Sequence, residues 1–223
     1  MLNVPPPDKI IICVYVINFL MDRILEISYK HKLSHIGSCL TTLPILEKIY
    51  DEKKEDDIVV LSCGHAGLAQ YVTIEKNSNG SINAEELLET MGIHPLKDVS
   101  KGIHVSTGSL GSGIVISVGL AIANKNRKIF CVISDGECAE GSVWEALAFI
   151  KNKDISNLHV HVNINGFSAY DSVDRQYLEN RLKSFLPRIN VHQTKNPEYL
   201  GDLNAHYHVL KHVDEISKVS QYN

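Results

Sequence analysis

Two short apolar runs flank a segment of helical spacing, and that arrangement constrains the chain more than any other feature. Lys128-Ile129-Phe130-Cys131-Val132-Ile133 reads as a buried strand, and Leu158-His159-Val160-His161-Val162 as another. Between them, Glu140–Lys151 carries apolar residues at helical intervals: Val143, Trp144, Leu147, Ala148 and Ile150. A strand–helix–strand unit of this kind makes two parallel strands joined by a right-handed crossover, with both strand ends on one edge of the sheet. Open α/β sheets bind their ligands at that carboxyl edge. At the two ends stand Ser134-Asp135-Gly136-Glu137 and Asn163-Ile164-Asn165-Gly166. A carboxylate and an amide oxygen on adjacent strand ends can share one hard cation. Mg2+ takes about six oxygens and usually recruits phosphate to complete its octahedron. The competing reading is that Asp-Gly and Asn-Gly are ordinary turn pairs.

The rest of the chain fits one α/β domain. The 223 residues suffice for a single core, and 44% hydrophobic with 22% charged residues is typical of a globular protein. Net charge is −4 with no long basic run, which argues against a nucleic-acid partner. Cys13, Cys39, Cys63, Cys131 and Cys138 are odd in number and lack Cys-x-x-Cys spacing. That argues against a disulfide framework or a zinc site and fits a reducing cytoplasm. Ile10 to Met21 is almost wholly apolar but too short to span a bilayer, so no membrane role is expected. Lys9 precedes the run as in a signal peptide, yet no small-residue cleavage site follows it.

Further along, Asp22–Lys32 and Leu40–Tyr50 read as helices, and Ile58–Leu61 as a strand. Asn83 with Glu86 forms a capping-box-like start to a helix that Gly92 ends. Gly111–Asn124 is a helix of small and β-branched residues suited to burial, Arg175–Phe185 a further helix, and Ile189–His192 a last strand. Asn204–His208 reads as a loop. Gly108-Ser109-Leu110-Gly111-Ser112-Gly113 is a glycine-rich loop before a helix, but its Gly-x-x-Gly-x-Gly order reverses the dinucleotide fingerprint. His35, His65 and His94 each lie in a glycine- or serine-bearing loop, where a lone histidine is more often a structural hydrogen-bonding residue. His104, His159 and His161 read as structural.

Four of these motifs, in order, resemble the transketolase family. Ser134–Ala148 through Asn165-Gly166 is similar to its thiamine-diphosphate signature. Ser34-His35-Ile36-Gly37-Ser38 is similar to its Ser-Gly-His-Pro-Gly element, Leu61-Ser62-Cys63-Gly64-His65-Ala66 to its Leu-Ser-Asn-Gly-His-Gly element, and Ser106–Gly113 to its Thr-Gly-Pro-Leu-Gly-Gln-Gly loop. The resemblance covers about residues 22 to 174. It implies a thiamine-diphosphate-binding α/β fold, a parallel sheet flanked by helices, with residues 22–223 as the diphosphate-binding domain. Residues 1–21 are then an extension, with Met21 expected as the natural start.

By resemblance, Asp135, Asn165 and the Phe167 carbonyl would hold Mg2+. His65, Gly108, Ser109, Leu110, Gly136 and Glu137 would join Asp135 and Asn165 in binding thiamine diphosphate. His35, His65 and His94 would bind donor-sugar hydroxyls and assist proton transfer, and His206 or His208 would stand in for a further family histidine. The helix bearing Glu140, Trp144 and Glu145 matches one that packs at a subunit interface.

The family's second, pyrimidine-binding domain has no counterpart in the chain. The resemblance therefore implies the N-terminal subunit of a split transketolase acting on sugars or sugar phosphates. It would work with a separate C-terminal subunit, as a dimer of heterodimers. A deoxyxylulose-phosphate-synthase-like carboligase and a non-catalytic subunit keeping the fold are the alternatives. Departures from the family pattern are Ser134 before the metal Asp, Ile36 for proline, Ala169 where a bulky aliphatic residue wedges the cofactor, and a shortened C-terminal part.

Overall fold

The computed structural model describes residues 7–168, 171–201 and 203–220, with side chains from residue 16 onward except at 203 and 204. Ala169 lies outside the described residues.

The elements run α1 (Pro7–His31), α2 (Ile36–Glu52), β1 (Ile58–Leu61), α3 (Gly67–Asn77), α4 (Ala84–Met91), α5 (Ser112–Ala123), β2 (Ile129–Ser134), α6 (Gly141–Asn152), β3 (Leu158–Ile164), α7 (Arg175–Phe185), β4 (Asn190–Gln193) and α8 (Asp214–Ser220). The four strands form one parallel sheet in the order β1-β2-β3-β4. Helices cover both faces, as a parallel sheet requires. Side chains alternate along each strand and so divide the interior into two cores. Val59, Leu61, Phe130 and Val132 face α1, α2 and α3. Ile58, Val60, Ile129, Cys131, Ile133, Val160 and Val162 face α5, α6 and α7.

The first helix differs from the sequence reading: it starts at Pro7 rather than near Asp22. Proline suits the first helical position because its fixed φ and missing N–H are harmless there, and nothing breaks the apolar run that follows. Leu20, Met21, Ile24, Leu25 and Ile27 are its buried face. Helix α3 carries no clear sequence signal, because Val72, Thr73 and Ile74 are β-branched and its first residue is glycine. In α4 the Asn83 side chain accepts from the Glu85 and Glu86 amides, so the cap forms as expected.

One polar contact sets the sheet against α2 close to the strand ends. Asn163 on β3 is 1% exposed, donates to Thr41 Oγ1 and Thr42 Oγ1, and accepts from Thr194 Oγ1 at 2.6 Å. Both ends of that amide are thereby satisfied, which a buried amide needs.

Candidate functional site

All four strands deliver their carboxyl ends to the same edge. Ser62 follows β1, Asp135 follows β2, Asn165 follows β3 and Thr194 follows β4. The Asp135 amide continues the ladder, donating to the Asn163 carbonyl at 2.9 Å. Asp135 and Asn165 are 3% and 5% exposed, and both line one small cavity of about 50 Å3. Its walls also include His65, Leu110, Gly136, Phe167, Ser38 and His206.

The Asp135 carboxylate is held by backbone amides. Oδ1 accepts from Gly136 N at 3.0 Å and Oδ2 from Gly166 N at 2.7 Å. Burial outweighs these bonds and pushes the acid up to about 6. Among the described residues no side-chain cation pairs with this carboxylate, so a divalent cation is a chemically suitable partner. Asn165 Oδ1 accepts from Phe167 N at 3.0 Å, which fixes the amide oxygen's direction. Gly166 turns the chain at φ 94, and its missing Cβ makes room for the Arg175 guanidinium, whose Nε would lie 2.6 Å from that atom. Arg175 donates to the carbonyls of Asn165 and Thr194, tying the ends of β3 and β4 together.

Two imidazoles, His65 and His206, line the cavity with Asp135, and a third, His35, packs against both. His35, His65 and His206 lie with ring centroids 4.1 Å (His35–His206), 5.5 Å (His35–His65) and 6.3 Å (His65–His206) apart. His94 rests against Gly108, where a Cβ would lie 3.2 Å from its ring. Burial, then the neighbouring histidines, lowers His35 to about 4 and His65 to about 3. Both rings are therefore neutral at pH 7, each with one donor and one acceptor nitrogen. His35 adopts the left-handed conformation at φ 59, and its amide donates to the His206 carbonyl at 3.1 Å. The His35 Nδ1 atom is buried without a partner among the described residues.

The glycine loop reaches the cavity through Leu110, which is 37% exposed. Ser109 does not line it; its carbonyl accepts from Ser112 Oγ at 2.7 Å instead. Glu137 also points elsewhere, its carboxylate being bonded to Ser62, Gly111 and Ser134. Gly136 lines the cavity, and a Cβ there would be in ordinary contact with Ser168 and Ser134 at 3.7–3.9 Å.

The structure thus brings together His65, Leu110, Asp135, Gly136, Asn165 and Phe167 on one cavity, with His35 packed against His65, and with His94 and Gly108 beside them. Sequence reasoning leaves His206 unplaced and misses Ser38, Ser168, Arg175 and Asn196. Asn196 follows β4 and carries a buried Oδ1 without a partner among the described residues. No motif signals Arg175 or Asn196, since each acts through a fold-dependent approach to the β3 end. His208 lies apart, its ring against Tyr199 and 3.8 Å from Glu215.

The donor set fits a hard cation and an anionic ligand. Two buried oxygens on adjacent strand ends suit Mg2+ rather than a soft metal. The unpartnered His35 and Asn196 atoms leave polar capacity for a ligand beside them. Larger cavities of about 460 and 300 Å3 lie elsewhere, one beside Phe149 and Ile155 and the other beside Tyr50 and His104, without such a donor set. His31, Glu85 and Glu89 also cluster, but ion pairing of Glu85 with Lys30 and His31 accounts for them.

Known proteins share sequence and fold with this chain. Residues 30–198 match the family described as "Transketolase, thiamine diphosphate binding domain". The chain is 37% identical over 157 residues to an apulose-4-phosphate transketolase subunit from Phocaeicola vulgatus, covering 61% of this chain and 54% of that one. It is 33% identical over 164 residues to the transketolase of Pongo abelii, covering 64% of this chain and 26% of that one. The chain therefore spans about half of the Phocaeicola vulgatus subunit and about a quarter of the Pongo abelii transketolase. The crystal structure of Campylobacter jejuni transketolase superposes with a TM-score of 0.72 at 20% identity, over 94% of this chain and 41% of that one, a likeness of fold.

Proposed function

The chain belongs to the transketolase family through its thiamine-diphosphate-binding domain, and from that premise we propose that it is the N-terminal subunit of a thiamine-diphosphate- and Mg2+-dependent transketolase. The reaction is transfer of a two-carbon ketol unit from a ketose to an aldose. The observation that carries this reading is the convergence of buried Asp135 and Asn165 with Gly136, His65 and Leu110 on one cavity.

When bound, thiamine diphosphate supplies the carbanion chemistry that breaks and re-forms the carbon–carbon bond. This chain's residues bind, orient and move protons. Asp135, Asn165 and the Phe167 carbonyl would hold Mg2+, and Gly136 on the cavity wall would lie beside the diphosphate. Gly108 and Leu110 would lie against the cofactor's rings. His65 contacts the diphosphate end and, with His35, His94 and His206, hydrogen-bonds donor-sugar hydroxyls. Neutral imidazoles suit that task, because each can give a proton at one nitrogen and take one at the other.

A separate C-terminal subunit completes the site. The cavity of about 50 Å3 is far smaller than a ligand pocket usually is, which supports a second surface closing over the cofactor. Helix α5 carries no charged residue, and its outer face exposes Val115, Ile116, Gly119, Ile122 and Ala123. A helix apolar all round belongs in an interior. Leu110 joins that face to the cavity, so a chain docked on α5 would also wall the site. A dimer of such heterodimers, in a reducing cytoplasm, is the expected assembly; Cys39, Cys63, Cys131 and Cys138 are free and buried.

The test is two-carbon transfer. Co-expressed with its C-terminal subunit, the chain should transfer ketol units between sugars or sugar phosphates. An assembled pair inactive across a panel of ketose donors would sink the enzyme reading. Transfer by the chain alone would sink the split one.

A further inference from the structure

Glu137 is the most deeply enclosed charged side chain among the described residues, at 0% exposure. No cation pairs with it among those residues. Three donors from three chain segments satisfy it instead. Oε1 accepts from Ser62 Oγ at 2.6 Å and from Gly111 N at 2.9 Å, and Oε2 accepts from Ser134 N at 3.1 Å. Ser62 lies just past β1, Gly111 is the residue before α5, and Ser134 ends β2. The Glu137 carboxylate is where the three segments meet. Next to the brace, Gly113 lies so close to Ser62 that a Cβ would stand 2.6 Å from the Ser62 Cα.

We infer that Glu137 is a positioning residue: its carboxylate locks the ends of β1 and β2 to the glycine loop, so that Asp135, Gly136 and Leu110 keep one arrangement before any ligand arrives. This rests on the reading of the cavity as the cofactor site. Glu137 touches neither the cavity nor the cofactor in this account; it acts through the backbone on either side of it. A carboxylate is needed because both oxygens accept. Glutamine has the same size but offers one acceptor, and its amide nitrogen would face an N–H or an O–H donor. Burying an unsatisfied donor pair pushes the segments apart.

The chain carries its own probe. Trp144 is the only tryptophan, and its Nε1 donates at 2.8 Å to the carbonyl of Cys138, the residue after Glu137. The experiment compares wild type, Glu137→Gln and Ser62→Ala in the full chain assembled with its C-terminal subunit. Thiamine diphosphate is titrated at saturating Mg2+, at a temperature where all three are folded, and Trp144 emission is recorded on each full chain before assembly, without cofactor. Glu137→Gln should weaken cofactor binding about 10- to 100-fold, the range seen when outer-shell supports of a bound group are removed. It should also shift Trp144 emission. Ser62→Ala, which removes one of the three donors, should act in the same direction and less.

A brace with a merely structural role would lower the thermal midpoint and leave cofactor affinity unchanged. Wild-type affinity and emission in Glu137→Gln would overturn the proposal, and should that variant not fold, the same result in Ser62→Ala would do so. Wild type that binds no cofactor would overturn the cofactor reading, and this proposal with it.

Discussion

Two glycines of α5 should respond in opposite ways to the same substitution. Gly113 and Gly119 sit in one helix, where alanine is favoured over glycine by up to about 1 kcal/mol. A Cβ at Gly119 would meet nothing within 4 Å, so Gly119→Ala should stabilise the isolated chain by about 0.5–1 kcal/mol. A Cβ at Gly113 would lie 2.6 Å from the Ser62 Cα and Oγ and 2.7 Å from its Cβ. Backbone stands in the way, so α5 and the end of β1 must separate. Overpacking of this kind costs about 1–3 kcal/mol. Separation also strains the Ser62 and Gly111 bonds to the Glu137 carboxylate, each worth about 1.5–3 kcal/mol. Losing one of them and subtracting the full helix gain leaves Gly113→Ala destabilised by about 1.5–5 kcal/mol. Urea unfolding of the two variants measures both. Gly113→Ala as stable as wild type, or more so, would refute the packing account of the β1–α5 contact. On the α5 face, Gly119→Ala should also weaken docking of the second subunit, since its methyl projects into the proposed interface.

Three other outcomes are expected. Ile116→Asp and Ile122→Asp, at 42% and 48% exposure, should leave the isolated chain within about 0.5 kcal/mol of wild type and abolish assembly in size-exclusion chromatography; retained assembly would move the interface elsewhere. Arg175→Ala should weaken Mg2+-dependent cofactor binding by about tenfold or more, because it frees the carbonyls of Asn165 and Thr194, and calorimetry at wild-type affinity would count against that support. Burial, then His192, lowers His161 from about 6.5 to about 3, so the unfolded chain binds this proton first as pH falls, and stability present above pH 6.5 drains away toward the folded value. His161→Gln should flatten the fall in urea midpoint between pH 6.5 and 4, and an unchanged slope would assign the acid sensitivity to other groups.

The strands and the residues at their carboxyl ends are legible in the sequence for the same reason. Apolar runs such as Ile129–Ile133 and Leu158–Val162 are local signals, and the residues at their ends inherit a position from the sheet. Asp135 and Asn165 therefore reach the same edge as expected, whereas α3 stays hidden behind β-branched residues. His206, Arg175 and Asn196 come from segments whose return to the site depends on tertiary contacts, and no local pattern encodes that. Glu137 is the instructive case: its place in the Asp-Gly-Glu motif suggests a cofactor contact, but the three donors around it turn the carboxylate inward.

The central claim is that Asp135 and Asn165 hold Mg2+ for thiamine diphosphate. Calorimetric titration of thiamine diphosphate with Mg2+ into the chain assembled with its C-terminal subunit, wild type against Asp135→Ala, tests it most directly. The account predicts Mg2+-dependent binding by wild type that Asp135→Ala loses while remaining folded. Equal binding by both, or binding by neither, would contradict it.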